Sequence, residues 1–108
     1  MSEGVQLPIR LLATLYKQPD ELRILPLVYT DLLGDGEIVT ALIAAVATLI
    51  SGSGILTLGT EAIVENGTQI NIPVSGGVSG STYKISAAAQ LSGGGQPEAD
   101  VLVEVLEL

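Results

Sequence analysis

The chain of 108 residues contains neither cysteine nor histidine. Histidine is the commonest general base near neutral pH, and the cysteine thiolate is the usual nucleophile and soft metal ligand. Their absence argues against zinc, haem and iron–sulfur sites, and it excludes a disulfide framework. No cofactor is therefore expected. Catalysis is not predicted either, because no specific pair stands out among the twelve acidic residues.

Large aromatic residues are nearly absent as well. Tryptophan and phenylalanine do not occur, and the aromatic residues are Tyr16, Tyr29 and Tyr83. Hydrophobic residues nevertheless make up 47% of the chain and charged residues only 15%, a balance that argues against intrinsic disorder. The length predicts one domain, whose core must be built from valine, isoleucine, leucine and alanine.

Positive charge is scarce, and its position along the chain is uneven. Four bases stand against twelve acids, which gives a net charge of −8. Up to residue 23 three acids balance three bases, whereas the remainder carries nine acids and the single base Lys84. Such a surface repels phosphate groups, so neither nucleic acid nor an anionic membrane is expected as a partner. The longest apolar run, residues 38–50, is also shorter than the roughly 20 residues that span a bilayer.

Period-two alternation of apolar residues, which is typical of strands with one buried face, dominates the chain after residue 54. The predicted strands lie at residues 21–30, 54–59, 61–65, 68–74, 83–91 and 98–108. Pro26 confines the first of them to a sheet edge or a bulge, and Pro73 suits an edge strand or a strand end. With a further strand at 37–50, about seven strands predict an all-β, immunoglobulin-like sandwich over residues 21–108.

Residues 37–50 leave two interpretations open. Alanine and leucine favour a helix. Its apolar stripe would consist of Ile38, Leu42, Ala45, Val46 and Leu49. Valine, isoleucine and threonine fill half of the segment, however, and a strand here would complete a sandwich. We favour a strand, with a bend.

Two glycine-containing stretches predict turns between strands. Asn66-Gly67 stands where a tight hairpin turn requires positive φ at both central residues. The stretch SGGVSGST (75–82) has the glycines of a phosphate-binding loop, but it lacks the GxxxxGK[ST] spacing and a following helix. It is therefore predicted to be a crossover turn. The glycines of that turn are Gly76, Gly77 and Gly80.

Tyr83 follows this turn at the start of a strand. A lone tyrosine in that place matches the tyrosine corner of Greek-key sandwiches, whose hydroxyl bonds to backbone a few residues upstream and fixes the crossover. This structural role is favoured over stacking on a ligand.

Three acids, Asp31, Asp35 and Glu37, lie close together in TDLLGDGE (30–37). A calcium loop of the EF-hand type would need alternating ligands, a closing glutamate at the twelfth position and a helix on each side. The segment has none of these. A solvated turn is therefore favoured, with a loop cation as the alternative.

Residues 1–20 do not show the pattern of the domain that follows. They contain the apolar run LPIRLLATLY (7–16). Either a frayed terminus or an arm that packs on another subunit fits this segment. An arm is predicted, because an exposed apolar segment needs a partner surface. Its contact residues would be Leu7, Ile9, Leu11, Leu12, Leu15 and Tyr16.

The order of these motifs resembles a family of small phage virion proteins. In QPDELRILPLVYTDLLGDGEIVTA (18–41), a proline and acids precede an apolar strand, a Leu-Gly-Asp-Gly turn and the next strand. In VSGGVSGSTYKISAAAQLSGGGQPEADVLVEV (74–105), a glycine turn, the tyrosine, a strand, a second glycine turn and a valine-rich strand follow in order. The family comprises fibre–tail adaptor and neck proteins with an immunoglobulin-like sandwich.

The resemblance implies a non-enzymatic virion protein, assembled in the host cytoplasm. Its partners would be tail, portal or fibre subunits, and several copies would form a symmetric ring. A capsid decoration or head-completion protein is the alternative within the virion. A free protein-binding sandwich is the alternative outside it, although such a module would be expected to display aromatic residues in its loops.

Overall fold

The computed structural model describes residues 12–107, which form an all-β sandwich of two sheets. The all-β sandwich expected from the alternation is confirmed, with eight strands in the described part of the chain where about seven were expected. Short 3-10 turns lie at Thr30–Leu32 and Glu65–Gly67. The strands are β1 (Leu12–Lys17), β2 (Arg23–Val28), β3 (Val39–Ser51), β4 (Leu56–Leu58), β5 (Ala62–Val64), β6 (Gln69–Gly76), β7 (Thr82–Leu91) and β8 (Glu98–Val105).

The strands divide between the two sheets in a simple order. Sheet 1 runs β1-β8-β7-β3, and sheet 2 runs β2-β6-β4 with β5 also paired to β6. β4 and β5 pair with successive parts of β6, so they form two halves of one sheet edge. The described pairings are antiparallel except that of β1 with β8, which is parallel.

The first strand changes the boundary predicted for the arm at residue 20. All six residues of β1 pair with β8, and the N–H of Leu106 donates to the carbonyl oxygen of Lys17 at 2.9 Å. This part of the predicted arm is a strand of sheet 1, because the pairing satisfies backbone groups that β8 would otherwise leave open. Leu12, Leu15 and Tyr16 belong to this strand, and Leu7, Ile9 and Leu11 lie outside the described residues.

The alternation in the sequence becomes an alternation of burial. In β6 and β7, buried side chains alternate with half-buried ones, as the period-two pattern predicts. Each fully buried valine, leucine or isoleucine contributes roughly 1.5–3 kcal/mol. The buried core consists of Leu25, Leu27, Tyr29, Val39, Leu56, Ile70, Ile72, Val74, Tyr83, Ile85, Ala87, Ala89, Leu91, Ala99, Val101, Val103 and Val105.

The segment that left two interpretations open is a strand. β3 runs for 13 residues and pairs along its length with β7. Its register shifts between residues 39 and 41, 42 and 44, and 49 and 51. Such shifts are bulges, which bend a strand and increase its twist. The strand prediction is confirmed, and the helix propensity of alanine and leucine is overridden by pairing with β7.

The two strand prolines occupy different kinds of position. Pro26 lies in β2, an edge of sheet 2, as predicted. Pro73 lies in β6, which pairs on both sides, so the prediction of an edge strand or strand end is wrong. It is tolerated at the break between β4 and β5, where the N–H of Gly59 donates to the carbonyl oxygen of Pro73 at 2.8 Å. The imide nitrogen faces the same break, so no ladder bond is lost.

The loops gather at two ends of the sandwich. The acidic end comprises loops 29–38, 65–68 and 92–97, and the tyrosine end comprises loops 18–22, 52–55 and 77–81. At the acidic end the N–H of Ile38 donates to Ser92 Oγ at 3.0 Å, and the N–H of Ser92 donates to the carbonyl oxygen of Ile38 at 2.8 Å. Within residues 12–107, no helix is long and apolar enough to cross a membrane.

Candidate docking surfaces

One long stretch of the chain carries no charge. Residues 38–60 contain neither an acidic nor a basic side chain. They include β3 and β4, which lie at the edges of the two sheets. We call residues 38–58 the apolar flank. Its exposed large side chains are Ile38, Ile43, Val46, Leu49, Ile50 and Ile55, and their exposed fractions range from 42% to 80%.

The exposure of this flank follows from the position of β3. Among the described strands β3 pairs with β7 alone, so its other edge presents unpaired backbone N–H and C=O groups. Ala45 and Ala47 pack against the core, whereas Val46 between them faces solvent. Edge strands are usually protected by charged side chains or proline. β3 has neither, which makes it the leading candidate for a docking surface.

At the tyrosine end, Tyr83 joins two loops. Its ring is buried, and its hydroxyl donates to the carbonyl oxygen of Ser53 at 2.6 Å and accepts from the N–H of Val78 at 3.1 Å. The sequence led us to expect a bond to backbone a few residues upstream, and Val78 lies five residues upstream. No pattern in the sequence pointed to Ser53, because its turn meets Tyr83 only when the two sheets pack.

The glycines of these turns allow the two loops to approach closely. Gly76, Gly77 and Gly80, predicted to form the crossover, all have positive φ. A side chain at Gly54 would overlap Val78, and the φ of Gly54 is +85°. Glycine is therefore required at position 54 both for its backbone conformation and for the space it leaves.

A buried lysine, which the sequence analysis did not predict, lies at the same end. Lys17 is 3% exposed, and its Nζ donates to the carbonyl oxygens of Gln18 and Gly76, both at 2.6 Å. Burial lowers the pKa of its ammonium group, while the carboxylates of Glu21 and Asp20 act in the opposite direction. The bond to Gly76 ties β1 to the end of β6. The signal in the sequence that could have predicted this buried lysine is its place in β1, where the strand alternation puts it on the inward-facing side.

Tyr29, unlike Tyr83, has a hydroxyl group that makes no hydrogen bond with the described residues. Tyr29 is buried, and its hydroxyl is, among the described residues, the one buried side-chain polar atom without a hydrogen-bond partner. Burial raises the pKa of this hydroxyl. An unsatisfied buried polar group costs about 1–3 kcal/mol.

The hairpin between β5 and β6 contains Asn66-Gly67 in a longer loop than the two-residue turn predicted. Both residues have positive φ, 58° for Asn66 and 83° for Gly67, and Glu65 has a φ of 55°. Val64 pairs with Gln69, so four residues connect the strands. The extra length brings Gly67 against Ile38, where a side chain would have no room.

Comparison with protein families matches residues 17–104 to the family described as podophage GP4 fiber-tail adaptor protein gp77. The match begins at the buried lysine and ends one residue before the end of β8, so it covers nearly the whole described sandwich. The chain belongs to this gp77 adaptor family. No curated protein matches it. The resemblance to phage fibre–tail adaptors is confirmed, and it favours that role over a capsid decoration or head-completion protein.

Membership establishes the broad function. The gp77 family consists of structural proteins of the phage tail, so this adaptor is a virion component that binds other virion proteins. Such binding depends on the surfaces of the sandwich. Among the described residues, no group of three metal-ligating side chains could hold an ion.

The bases of the adaptor are unevenly placed along the sandwich. In or beside the acidic end stand five acids and no base, namely Asp31, Asp35, Glu37, Glu65 and Glu98. The described bases, Lys17, Arg23 and Lys84, lie towards the tyrosine end, together with the acids Asp20, Glu21, Glu104 and Glu107. Glu37 is occupied within the acidic end, where it accepts hydrogen bonds from the N–H groups of Gly34 at 2.9 Å and Gly93 at 3.1 Å. The exposed carboxylates of Asp31 and Asp35 remain the accessible ones in that loop.

Proposed function

We propose that several copies of this adaptor stand in a symmetric ring and join fibres to the tail or portal region of the virion. The observation that carries the proposal is the chemical difference between the two ends of one sandwich. One end presents carboxylates without a base, and at the other end the described lysines and arginine nearly balance the acids. Ends that differ in charge favour different partners. One would dock on the tail or portal and the other on the amino terminus of a fibre.

An adaptor that joins two partners must be rigid, and hydrogen bonds at the tyrosine end make the sandwich rigid there. The Tyr83 hydroxyl joins the β3–β4 and β6–β7 turns, and Lys17 joins β1 to β6. Side chains that bond to the backbone of distant loops restrict the movement of those loops. A docking surface built there would lose little conformational entropy when a partner binds.

The acidic end can be tested by removing its accessible charges. In the variant Asp31→Asn with Asp35→Asn, we expect a several-fold drop in the number of fibres or adaptor copies per virion. The matched control is Glu61→Gln with Glu107→Gln, which removes two exposed acids elsewhere on the sandwich. Fibres and adaptors would be counted by electron microscopy of purified virions. Equal losses in both variants, or no loss in either, would contradict a docking role for the acidic end.

The anchoring role of the arm is proposed for residues 1–11, which include Leu7, Ile9 and Leu11. Deletion of residues 1–11 leaves the eight described strands in place, whereas deletion through residue 17 would also remove β1. We expect the shorter deletion to fold normally and to lower the number of adaptor copies per virion. Virions with normal copy number and normal fibre number would show that the arm is not an anchor.

A further inference from the structure

Among the described strands, sheet 1 has an unpaired edge on each side, and both edges carry exposed apolar side chains. β1 forms one edge and β3 the other. Tyr16 on β1 is 56% exposed, and Val46 on β3 is 57% exposed. Tyr16 of β1 pairs with Glu104 of β8. Val46 of β3 pairs with Ser86 of β7. Both pairs occupy positions that alternate with those whose side chains face the core. The two side chains therefore lie on the same outer face of one sheet.

The distribution of charge favours contact between copies at these edges. A chain with a net charge of −8 repels its own copies over most of its surface. The apolar flank does not contribute to this repulsion, because residues 38–60 carry no charge. The β1 edge lies within the first 23 residues, in which three bases balance three acids. Joining β3 of one copy to β1 of another therefore brings no carboxylates face to face.

The two edges also match in direction and length. β1 is parallel to β8, β8 is antiparallel to β7, and β7 is antiparallel to β3, so β1 and β3 run in the same direction. β1 has six residues. On β3 the register with β7 is regular over Ala44–Leu49, which is also six residues, and it shifts on both sides of that stretch. Copies that are oriented alike can thus add β1 to the regular part of β3 as a parallel strand.

We infer that β3 of each adaptor pairs with β1 of a neighbouring copy, so that sheet 1 continues from one copy to the next. The occupant of the apolar flank is a second copy of this chain. Such a head-to-tail contact uses different surfaces on the two copies and generates a ring when the rotation closes. This inference deepens the proposed function and rests on its ring of copies. Strand addition at an open sheet edge supplies backbone hydrogen bonds as well as side-chain contacts.

The absence of cysteine makes a direct test possible. Virions would be prepared with Thr14→Cys and Val46→Cys in the same chain and treated with a short thiol–thiol cross-linker. We expect a ladder of cross-linked adaptors under denaturing conditions in that variant. Each single variant is its own control and is expected to stay monomeric. Cross-linked dimers from Val46→Cys alone would indicate contact between two β3 strands and would overturn the inference, as would the absence of a ladder in the double variant.

A second variant separates two outcomes: that β3 does not pair with β1 of a neighbouring copy, and that the proposed function is wrong. Val46→Lys places a charge on β3, and the matched control Ser86→Lys places one on the same outer face in the central strand β7. We expect Val46→Lys to lower the adaptor copies per virion at least several-fold, with an unchanged thermal unfolding midpoint, and Ser86→Lys to leave the number unchanged. A normal number of adaptor copies in the Val46→Lys variant would overturn the pairing of β3 with β1, but not the proposed function. Normal fibres on virions that lack the adaptor would instead overturn the proposed function.

Discussion

The bond between Tyr83 and two loops gives the sharpest test of how the tyrosine end is held. The change Tyr83→Phe removes the hydroxyl and keeps the buried ring. It leaves the carbonyl oxygen of Ser53 and the N–H of Val78 without their partner, at sites that are part-buried. Each intramolecular hydrogen bond contributes about 0.5–1.5 kcal/mol, and each stranded polar group costs up to about 3 kcal/mol. We expect the free energy of unfolding to fall by roughly 2–3 kcal/mol.

The adaptor contains its own matched control for this change. Tyr29→Phe also removes a hydroxyl from a buried ring, but that hydroxyl has no partner to lose among the described residues. We expect its unfolding free energy to stay the same or to rise by up to about 1 kcal/mol, because an unsatisfied group is removed. The measurement is urea and thermal unfolding followed by far-ultraviolet circular dichroism. For a domain of this size, the loss at Tyr83 corresponds to a drop in Tm of roughly 10–20 °C. Equal effects of the two substitutions would refute the reasoning.

Three further predictions concern single residues. The change Lys17→Met is expected to lower the free energy of unfolding in urea by about 2 kcal/mol, because two backbone carbonyls lose a charged donor. Gly54→Ala should cost more than Gly80→Ala, because both glycines have positive φ but only the side chain at Gly54 would overlap a neighbour; thermal melts of the pair give the comparison. Above pH 10 the buried Tyr29 hydroxyl keeps its proton while the unfolded chain loses it, since burial raises its pKa in the folded state. The contribution of Tyr29 to the free energy of unfolding is therefore complete below pH 10 and is lost as the pH rises. Above pH 10, the free energy of unfolding of Tyr29→Phe should fall less steeply with pH than that of the natural chain.

Much of the fold could be predicted from local patterns. The alternation of β6, β7 and β8 follows directly from burial of one sheet face, and valine and isoleucine leave few other conformations for such segments. The strand β3 was harder, because its alanine and leucine residues fit a helix equally well. What decided it was pairing with β7, a long-range interaction that local propensity does not contain.

The features that escaped prediction depend on which strands become neighbours. β1 falls within the predicted arm, because nothing in its six residues shows that β8, more than 80 positions away, has an open parallel edge. Pro73 is acceptable in a central strand because β4 ends and β5 begins opposite to it. The partner of Tyr83 at Ser53 likewise depends on packing of the two sheets. Each of these facts is a property of the topology, and a single sequence carries it only indirectly.

The apolar flank combines an open sheet edge with features that oppose aggregation. A long uncharged edge strand is a hazard in a free protein, because any other strand can add to it. Two features of this chain oppose such addition: the net charge of −8, which keeps copies apart, and bulges on both sides of Ala44–Leu49, which shorten the part that can pair. Six regular residues pair weakly when copies meet at random. They would pair well when the tail holds neighbouring copies side by side, because the effective concentration of the second strand is then high. The same edge would therefore remain open in the free adaptor and close on the virion.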